Sequence, residues 1–292
     1  MTIHTPQIIY RNSGLHAVDL RERERLSWEL DVARQVQARL FPNEQPFYPG
    51  LEFFGTWRAA HGVSGDYLDY LELAGGNLGV AIGDVAGKGV SAALLMSALH
   101  SMVRTLGISR YSSLSELASA INRHFLRVSP ESSFASLFLA RYDHGLRKLH
   151  YLNAGHEPPF VLRKVGNVTS SIDLPAGGPV VGMFRDAVYR DDSIQLALGD
   201  LVVAYTDGIS ELTSPTGEEW GKTRLVDAVT AYGDLPVREI VKRVLSDMTA
   251  FAAGEPQHDD MTLWIARVGD AEASKPLEEA EEIAAHAVAF AA

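Results

Sequence analysis

Apolar runs of strand length recur between residues 50 and 268, and Gly, Pro or Asp closes nearly every one. Runs of 4–8 apolar and β-branched residues bounded by such breakers predict strands. The pattern predicts strands at residues 52–58, 67–73, 78–82, 134–142, 146–153, 159–164, 193–198, 201–206 and 261–268. Longer stretches rich in Ala and Leu, or with apolar positions three and four apart, predict helices at 90–106, 115–128, 223–231 and 237–251, with a helical turn at 209–212. Gly75, Gly76 and Asn77 read as a tight hairpin turn between the second and third strands. Strand runs and helix runs are segregated: three strands, two helices, five strands, two helices, one strand. That order predicts an α+β fold with a mainly antiparallel sheet system, two stacked sheets flanked by helix pairs.

Before residue 50 the pattern changes. Residues 1–18 show no clear periodicity and are expected to be mobile. From Asp19 the chain turns charged and helical, and Leu26, Leu30, Ala33, Gln37 and Leu40 fall on one stripe. Spacings of four and three suit a coiled-coil seam or an amphipathic helix packed on its own domain. Gln37 interrupts the stripe. Pro42, Pro46 and Pro49 then break the helix into an extended connector. After residue 268 the tail is acidic and then Ala-rich, and it reads as a frayed helix that docks on the domain or on a partner. The expected organisation is a linker helix and connector over residues 1–48, a catalytic domain over 49–268 and a tail over 269–292. Too few residues precede Leu26 to form a sensor domain, so control is expected from a separate partner or from a phosphorylation cascade acting on the substrate.

Composition narrows the function. A net charge of -11 argues against a nucleic-acid partner. Cysteine is absent, which removes disulfides, thiolate metal sites and a cysteine nucleophile. No run reaches membrane-span length and the N-terminus carries no signal pattern, so a cytoplasmic location is expected. The stretch from Gly83 to Gly89 resembles a P-loop, but its spacing is one residue short, and Gly89 stands where a Ser or Thr would be needed.

What remains is acidic. Asp66, Asp84, Asp207 and the pair Asp259-Asp260 each stand at the edge of an apolar strand, with Gly65, Gly83 and Gly208 adjacent to three of them. Any one of these is a common turn residue. Together, drawn from distant parts of the chain, they point to a hard cation such as Mg²⁺ or Mn²⁺, which takes oxygen ligands. Asp66 and Asp84 belong to neighbouring ends of one predicted hairpin.

Five segments in order carry a resemblance: Ser64-Gly-Asp-Tyr-Leu-Asp-Tyr70, Gly83-Asp-Val-Ala-Gly-Lys-Gly89, Asn153-Ala-Gly-His-Glu-Pro-Pro159, Tyr205-Thr-Asp-Gly-Ile-Ser-Glu211 and Asp259-Asp-Met-Thr262. They resemble the successive motifs of the PPM-type metal-dependent protein phosphatases, in the bacterial SpoIIE/RsbU branch. Ala33-Arg-Gln-Val-Gln-Ala-Arg-Leu-Phe-Pro42 is similar to the helix that leads into that domain. The resemblance covers about residues 30–268 and implies an αββα sandwich. It implies two Mn²⁺ or Mg²⁺ ions, with Asp84 bridging them, the Val85 carbonyl on one, Asp66 on the second, and Asp207 and Asp259 on the first. It implies a phosphoserine or phosphothreonine protein as substrate, often an anti-sigma-factor antagonist. His61-Gly62 and Ser64 depart from the branch's usual residues, and Arg58 is the candidate for the phosphate-binding arginine of eukaryotic relatives.

The expected reaction is phosphomonoester hydrolysis without a covalent enzyme intermediate, and metal-bound water, His61 or His156 could protonate the leaving alkoxide. A metal-dependent phosphoesterase acting on a nucleotide or other small molecule, and a catalytically silent interaction module, are the rival readings. The linker helix is expected to self-associate into a homodimer or to bind an activator. In the last strand Met261, Leu263 and Ile265 form an aliphatic face expected to pack on the second sheet. Leu201, Val203 and Tyr205 give Asp207 the matching parity, and Leu78, Val80 and Ile82 do so for Asp84. The same alternation turns Asp259 toward the metals and leaves Asp260 to hold its loop through backbone hydrogen bonds.

Overall fold

In a computed structural model, which describes residues 12–42, 45–73, 77–107, 113–166 and 168–270, the chain forms two five-stranded antiparallel sheets face to face. The strands are β1 (Leu51–Arg58), β2 (Asp66–Leu73), β3 (Asn77–Val85), β4 (Ala135–Asp143), β5 (Lys148–Ala154), β6 (Phe160–Val165), β7 (Val168–Asp173), β8 (Asp192–Gln195), β9 (Leu201–Tyr205) and β10 (Met261–Val268). One sheet runs β1-β10-β9-β6-β7 and the other β2-β3-β4-β5-β8. The helices are α1 (Asn12–Ala38), α2 (Val90–Leu106), α3 (Leu114–Val128), α4 (Asp207–Ser210), α5 (Gly221–Ala231) and α6 (Val237–Ala252). Helices α2 and α3 cover the second sheet, and α6, with α5 packed beside it, covers the first. The α+β class and the αββα layering are as expected.

Two apolar layers hold this together. Trp264, Ala266 and Val268 of β10 and Val202 and Ala204 of β9 join Leu68, Tyr70, Val80 and Ile82 in the cluster that includes the space between the sheets. Met261, Leu263 and Ile265 instead join Leu225, Val229, Ile240, Val241 and Val244 of α5 and α6. The face expected to meet the second sheet therefore meets the helices. The physical reason is that helix-on-sheet packing presents a wide aliphatic slab, whereas the inter-sheet layer accepts a mixed face carrying Thr262 and Trp264.

Three further expectations change. Helix α1 begins at Asn12, so residues 12–18, expected to be mobile, are helical; once a helix is nucleated, each added residue needs only one more hydrogen bond. Strand β7 was not expected. Its sequence, VTSSID, is polar, and it pairs with β6 as an exposed sheet edge, where no hydrophobic alternation is required. There are thus six strands between α3 and α4. Third, Asp207 opens helix α4 and is not in strand β9, so strand parity does not reach it. The hairpin-turn residues 74–76 and the tail from 271 onward lie outside the described residues; on either side of the hairpin, Leu73 pairs with Asn77.

Helix α1 is anchored at its C-terminal end. From residue 22 to Val36 its side chains are exposed, including Leu26, Leu30, Val32 and Trp28, which is 66% exposed. The anchor is Gln37, only 4% exposed, followed by Phe41, which stacks on Trp57 at 3.9 Å with 12° between the rings. Such a ring pair is worth about 0.5–1.5 kcal/mol beyond its buried area. Among the described residues no helix is long and apolar enough to cross a membrane.

Candidate metal centre and phosphoryl cleft

The site lies at one end of the sandwich, where both sheets contribute. Strands β2 and β3 pair so that Asp66 stands directly opposite Asp84. Antiparallel partners share a face, so one hairpin sets two carboxylates side by side. Gly65 makes room: a Cβ there would come within 3.0 Å of the Val85 carbonyl and 3.2 Å of Ala92 Cβ. A Cβ on Gly208, beside Asp207, would run into the Asp260 carbonyl, so the loop carrying Asp259 lies flush on the start of α4.

Asp66 is 1% exposed. Its Oδ2 accepts two hydroxyl hydrogen bonds from the first sheet, from Thr262 Oγ1 at 2.6 Å and Thr206 Oγ1 at 2.8 Å. Its Oδ1 is buried without a protein partner. Burial, then the charge of Asp84, hold the Asp66 carboxyl well above the usual carboxylate range, and the two threonine hydroxyls work against this. Asp84 is pushed up to about 7, by burial first and then by Asp207, Asp259 and Asp260, with Lys88 opposing. Asp207 is raised by burial and then by Asp259. Glu157 and Glu211 are raised too, by burial and then by Asp207. Each anion thus disfavours the next, the electrostatic condition that a bound cation relieves.

Asp259 and Asp260 divide their work. Asp260, 6% exposed, accepts from the Ala60 N–H and the Gly65 N–H, both at 2.7 Å, and so ties the β10 approach to the loop that precedes Asp66. Asp259 is partly exposed; its Oδ1 accepts from the Asp260 N–H at 2.9 Å and its Oδ2 meets Lys88 Nζ at 2.7 Å. Asp260 therefore holds backbone as expected, but the reason differs. The bend at Asp259 and the reversed face of β10 settle it, and the alternation of Met261 does not.

The remaining expected residues separate. His156 is buried; its Nδ1 lies 2.8 Å from Ser136 Oγ, and Ser136 pairs with Asp84 across β3 and β4. Burial holds the imidazole down to about 4, with the Tyr205 carbonyl opposing, so the ring is neutral near pH 7. Asn153 fixes the turn, accepting from the His156 N–H and donating to its carbonyl. Arg58 and His61 are exposed, and the contact at Arg58 is through its carbonyl, which accepts from Gln257 Nε2. A cleft of about 280 Å³ is lined by Asp84, Ser136, His156, Glu157, Asp207 and Glu211, with Phe134 and Val180 on its apolar side.

Two contributors went unread in the sequence. Gln37 of α1 donates to the Ser64 carbonyl and accepts from the Ser64 N–H, both at 2.7 Å, two residues from Asp66. Its only signal was a polar residue interrupting an apolar stripe. Asp69 is fully buried and takes both Arg104 Nε at 2.8 Å and Nη2 at 2.6 Å, along with Tyr67 and the Tyr70 N–H, so it pins α2 to β2.

The residues fit hard cations. Among the described residues no three carboxylate or imidazole side chains gather tightly enough to cage one ion. Mg²⁺ and Mn²⁺ sites of one or two carboxylates completed by waters need no such cage. The unpartnered Asp66 Oδ1 and the mutual repulsion of Asp84, Asp207 and Asp259 supply the donors.

Residues 74–269 match the family model for stage II sporulation protein E. The chain belongs to the SpoIIE family. It is 29% identical to phosphoserine phosphatase RsbU of Bacillus subtilis over 251 residues, 84% of this chain and 71% of RsbU. It is 29% identical to protein IcfG of Synechocystis over 261 residues, but that match covers 80% of this chain and only 40% of IcfG. Among solved structures the SiaA-PP2C domain of Pseudomonas aeruginosa matches with a TM-score of 0.71 and 18% identity, covering 84% of this chain and 98% of that one. The catalytic domain of the phosphatase PstP, solved in complex with 2 manganese ions, matches with a TM-score of 0.56 and 15% identity, over 75% and 99% of the two chains. These structural matches establish the PP2C fold, of the PPM type that the motifs implied.

Proposed function

We propose that this SpoIIE-family chain hydrolyses phosphoserine or phosphothreonine on a regulatory protein, an anti-sigma-factor antagonist in a bacterial partner-switching pathway. The observation that carries the reading is that Asp66 and Asp84 stand opposite each other on one strand pair and that Asp84 feels the charges of Asp207, at the start of α4, and of Asp259, in the loop before β10. Catalysis is assigned to residues 49–268, and regulation to the helix and connector over 1–48. Residues 269–292 are assigned no part in catalysis.

Asp84 would serve both of two Mn²⁺ or Mg²⁺ ions, the Val85 carbonyl one of them, Asp66 the second, and Asp207 and Asp259 the first. Bound there, the ions lower the pKa of water and offset charge on the phosphoryl oxygens. The chain's own residues do the positioning. Thr206 and Thr262 engage one oxygen of Asp66 and leave the other for a ligand. Asp260 fixes Gly65, and with it the approach of Asp66. His156, neutral and engaged with Ser136, supports the floor of the cleft and is no acid at neutral pH. His61, exposed in the loop before β2, is the remaining histidine candidate for the leaving-group proton.

The test is release of inorganic phosphate from a phosphoserine anti-sigma-factor antagonist by the full chain. Release should require Mn²⁺ or Mg²⁺ and stop with EDTA. Absence of release with saturating Mn²⁺ would refute the reading, and faster hydrolysis of a nucleotide would move the substrate class.

The exposed apolar residues of α1 are assigned to self-association or to an activator. Leu30→Asp should lower the mass measured by light scattering or remove the response to the activator. A variant with unchanged mass and unchanged activation would reject that role.

A further inference from the structure

We propose that Lys88 binds the phosphoryl group of the substrate, held in place by Asp259 and the His258 carbonyl; this rests on the phosphatase reading above. A phosphoryl dianion entering the cleft meets Asp84, Glu157, Asp207 and Glu211, all acidic. The proposed ions would offset part of that charge, and the residues expected to add a cationic donor from the chain itself do not. Arg58 and His61 are exposed with no side-chain contact to the cleft carboxylates, and His156 is neutral and bonded to Ser136.

Lys88 is differently placed. Its Nζ lies 2.7 Å from Asp259 Oδ2 and donates to the His258 carbonyl at 2.8 Å. Lys88 stands four residues after Asp84, on the turn between β3 and α2. An ammonium has three donors. Two are engaged, and the side chain is 49% exposed, so the third is open to a ligand. The flanking Gly87 and Gly89 adopt φ of 102° and 73°, and nothing would lie within 4 Å of a Cβ on either. These left-handed conformations turn the chain tightly, and no side chain crowds the backbone on either side of Lys88. The opposing explanation is a surface ion pair, which contributes little to anything.

Three proteins separate the two: wild type, Lys88→Met and Lys88→Arg, each as the full chain at Mn²⁺ saturating for that variant. Inorganic phosphate binding is measured by calorimetry, and KM and kcat on the phosphoserine protein in parallel. Lys88→Met should weaken phosphate binding about tenfold, as loss of a charge-assisted hydrogen bond does. KM should rise by a similar factor, with a smaller change in kcat. Lys88→Arg keeps the charge and should recover most of the phosphate affinity. Wild-type phosphate affinity in Lys88→Met, or no recovery in Lys88→Arg, would overturn the assignment. Phosphate binding that depends on Lys88, in a protein with no turnover, would support this site while removing the phosphatase reading. No phosphate binding by the wild type would remove both.

Discussion

Asp84→Asn should lower phosphate release by roughly 10²–10³-fold, as loss of a group that stabilises developing charge does, and yet leave a protein more stable than wild type in EDTA at pH 8. Both effects come from one carboxylate. Asn keeps the shape of the side chain and removes the charge expected to serve both ions. The stability gain follows from the folded environment. Burial and three neighbouring carboxylates raise the Asp84 carboxyl from 3.8 to about 7 on folding. A group raised on folding stabilises the fold fully below its unfolded value, and that contribution disappears as pH climbs through its folded value. In EDTA the wild-type melting temperature should therefore fall as pH rises from about 4 through about 7. Asp84→Asn cannot ionise there and should show a shallower fall. Calorimetry at pH 5 to 8 in EDTA measures it, and parallel curves for the two proteins would contradict the account. Cation binding should reverse the wild-type trend, because the charged carboxylate is then the favoured form.

The second large effect separates two adjacent residues. Asp260→Ala should destabilise the fold by about 3 kcal/mol or more, since hydrogen bonds to charged groups contribute about 1.5–3 kcal/mol each and one donor left behind, the Gly65 N–H, is buried. The two donors are the N–H groups of Ala60 and Gly65. Asp260→Asn should recover only part of the loss, because its amide NH₂ faces an N–H in one of the two positions. Asp259→Asn should behave in the opposite way. Its carboxylate is partly exposed and carries a surface ion pair, so the melting temperature in EDTA should change little. Its Mn²⁺ affinity should fall instead. Calorimetric melting and Mn²⁺ titration of the three variants decide it: greater loss of metal affinity in Asp260→Asn than in Asp259→Asn would reverse the assignment.

Much of this site was legible before any coordinates. Strand β10 and helix α2 match their expected bounds, because each is a long unbroken pattern between strong breakers. The pairing of Asp66 with Asp84 followed from one short hairpin. What sequence could not carry was the choice between equivalent partners. Alternation in β10 marks two faces but does not say which meets helices and which meets a sheet, and the aliphatic face went to the helices. Strand β7 escaped because it is exposed apart from Ile172, which packs on the core, and one apolar contact makes no alternating pattern. Gln37 escaped for the opposite reason. A buried amide bonded to backbone 27 positions away has no local periodicity to betray it. Asp69 sits in the same motif as Asp66, but only the position of Arg104 on α2 separates an anchor from a ligand.

Gln37 also fixes the mechanics of the long helix. A 27-residue helix is about 40 Å long. The side chains from residue 22 to Val36 are exposed, and the grip begins only at Gln37. A swing of roughly 10° about Gln37 would carry the first residue of the helix, Asn12, through about 7 Å, with the pivot on the Ser64 backbone two residues from Asp66. On the proposed reading, in which Asp66 holds a cation, such a displacement would reach that carboxylate only as the small rotation passed on through Gln37 and Ser64.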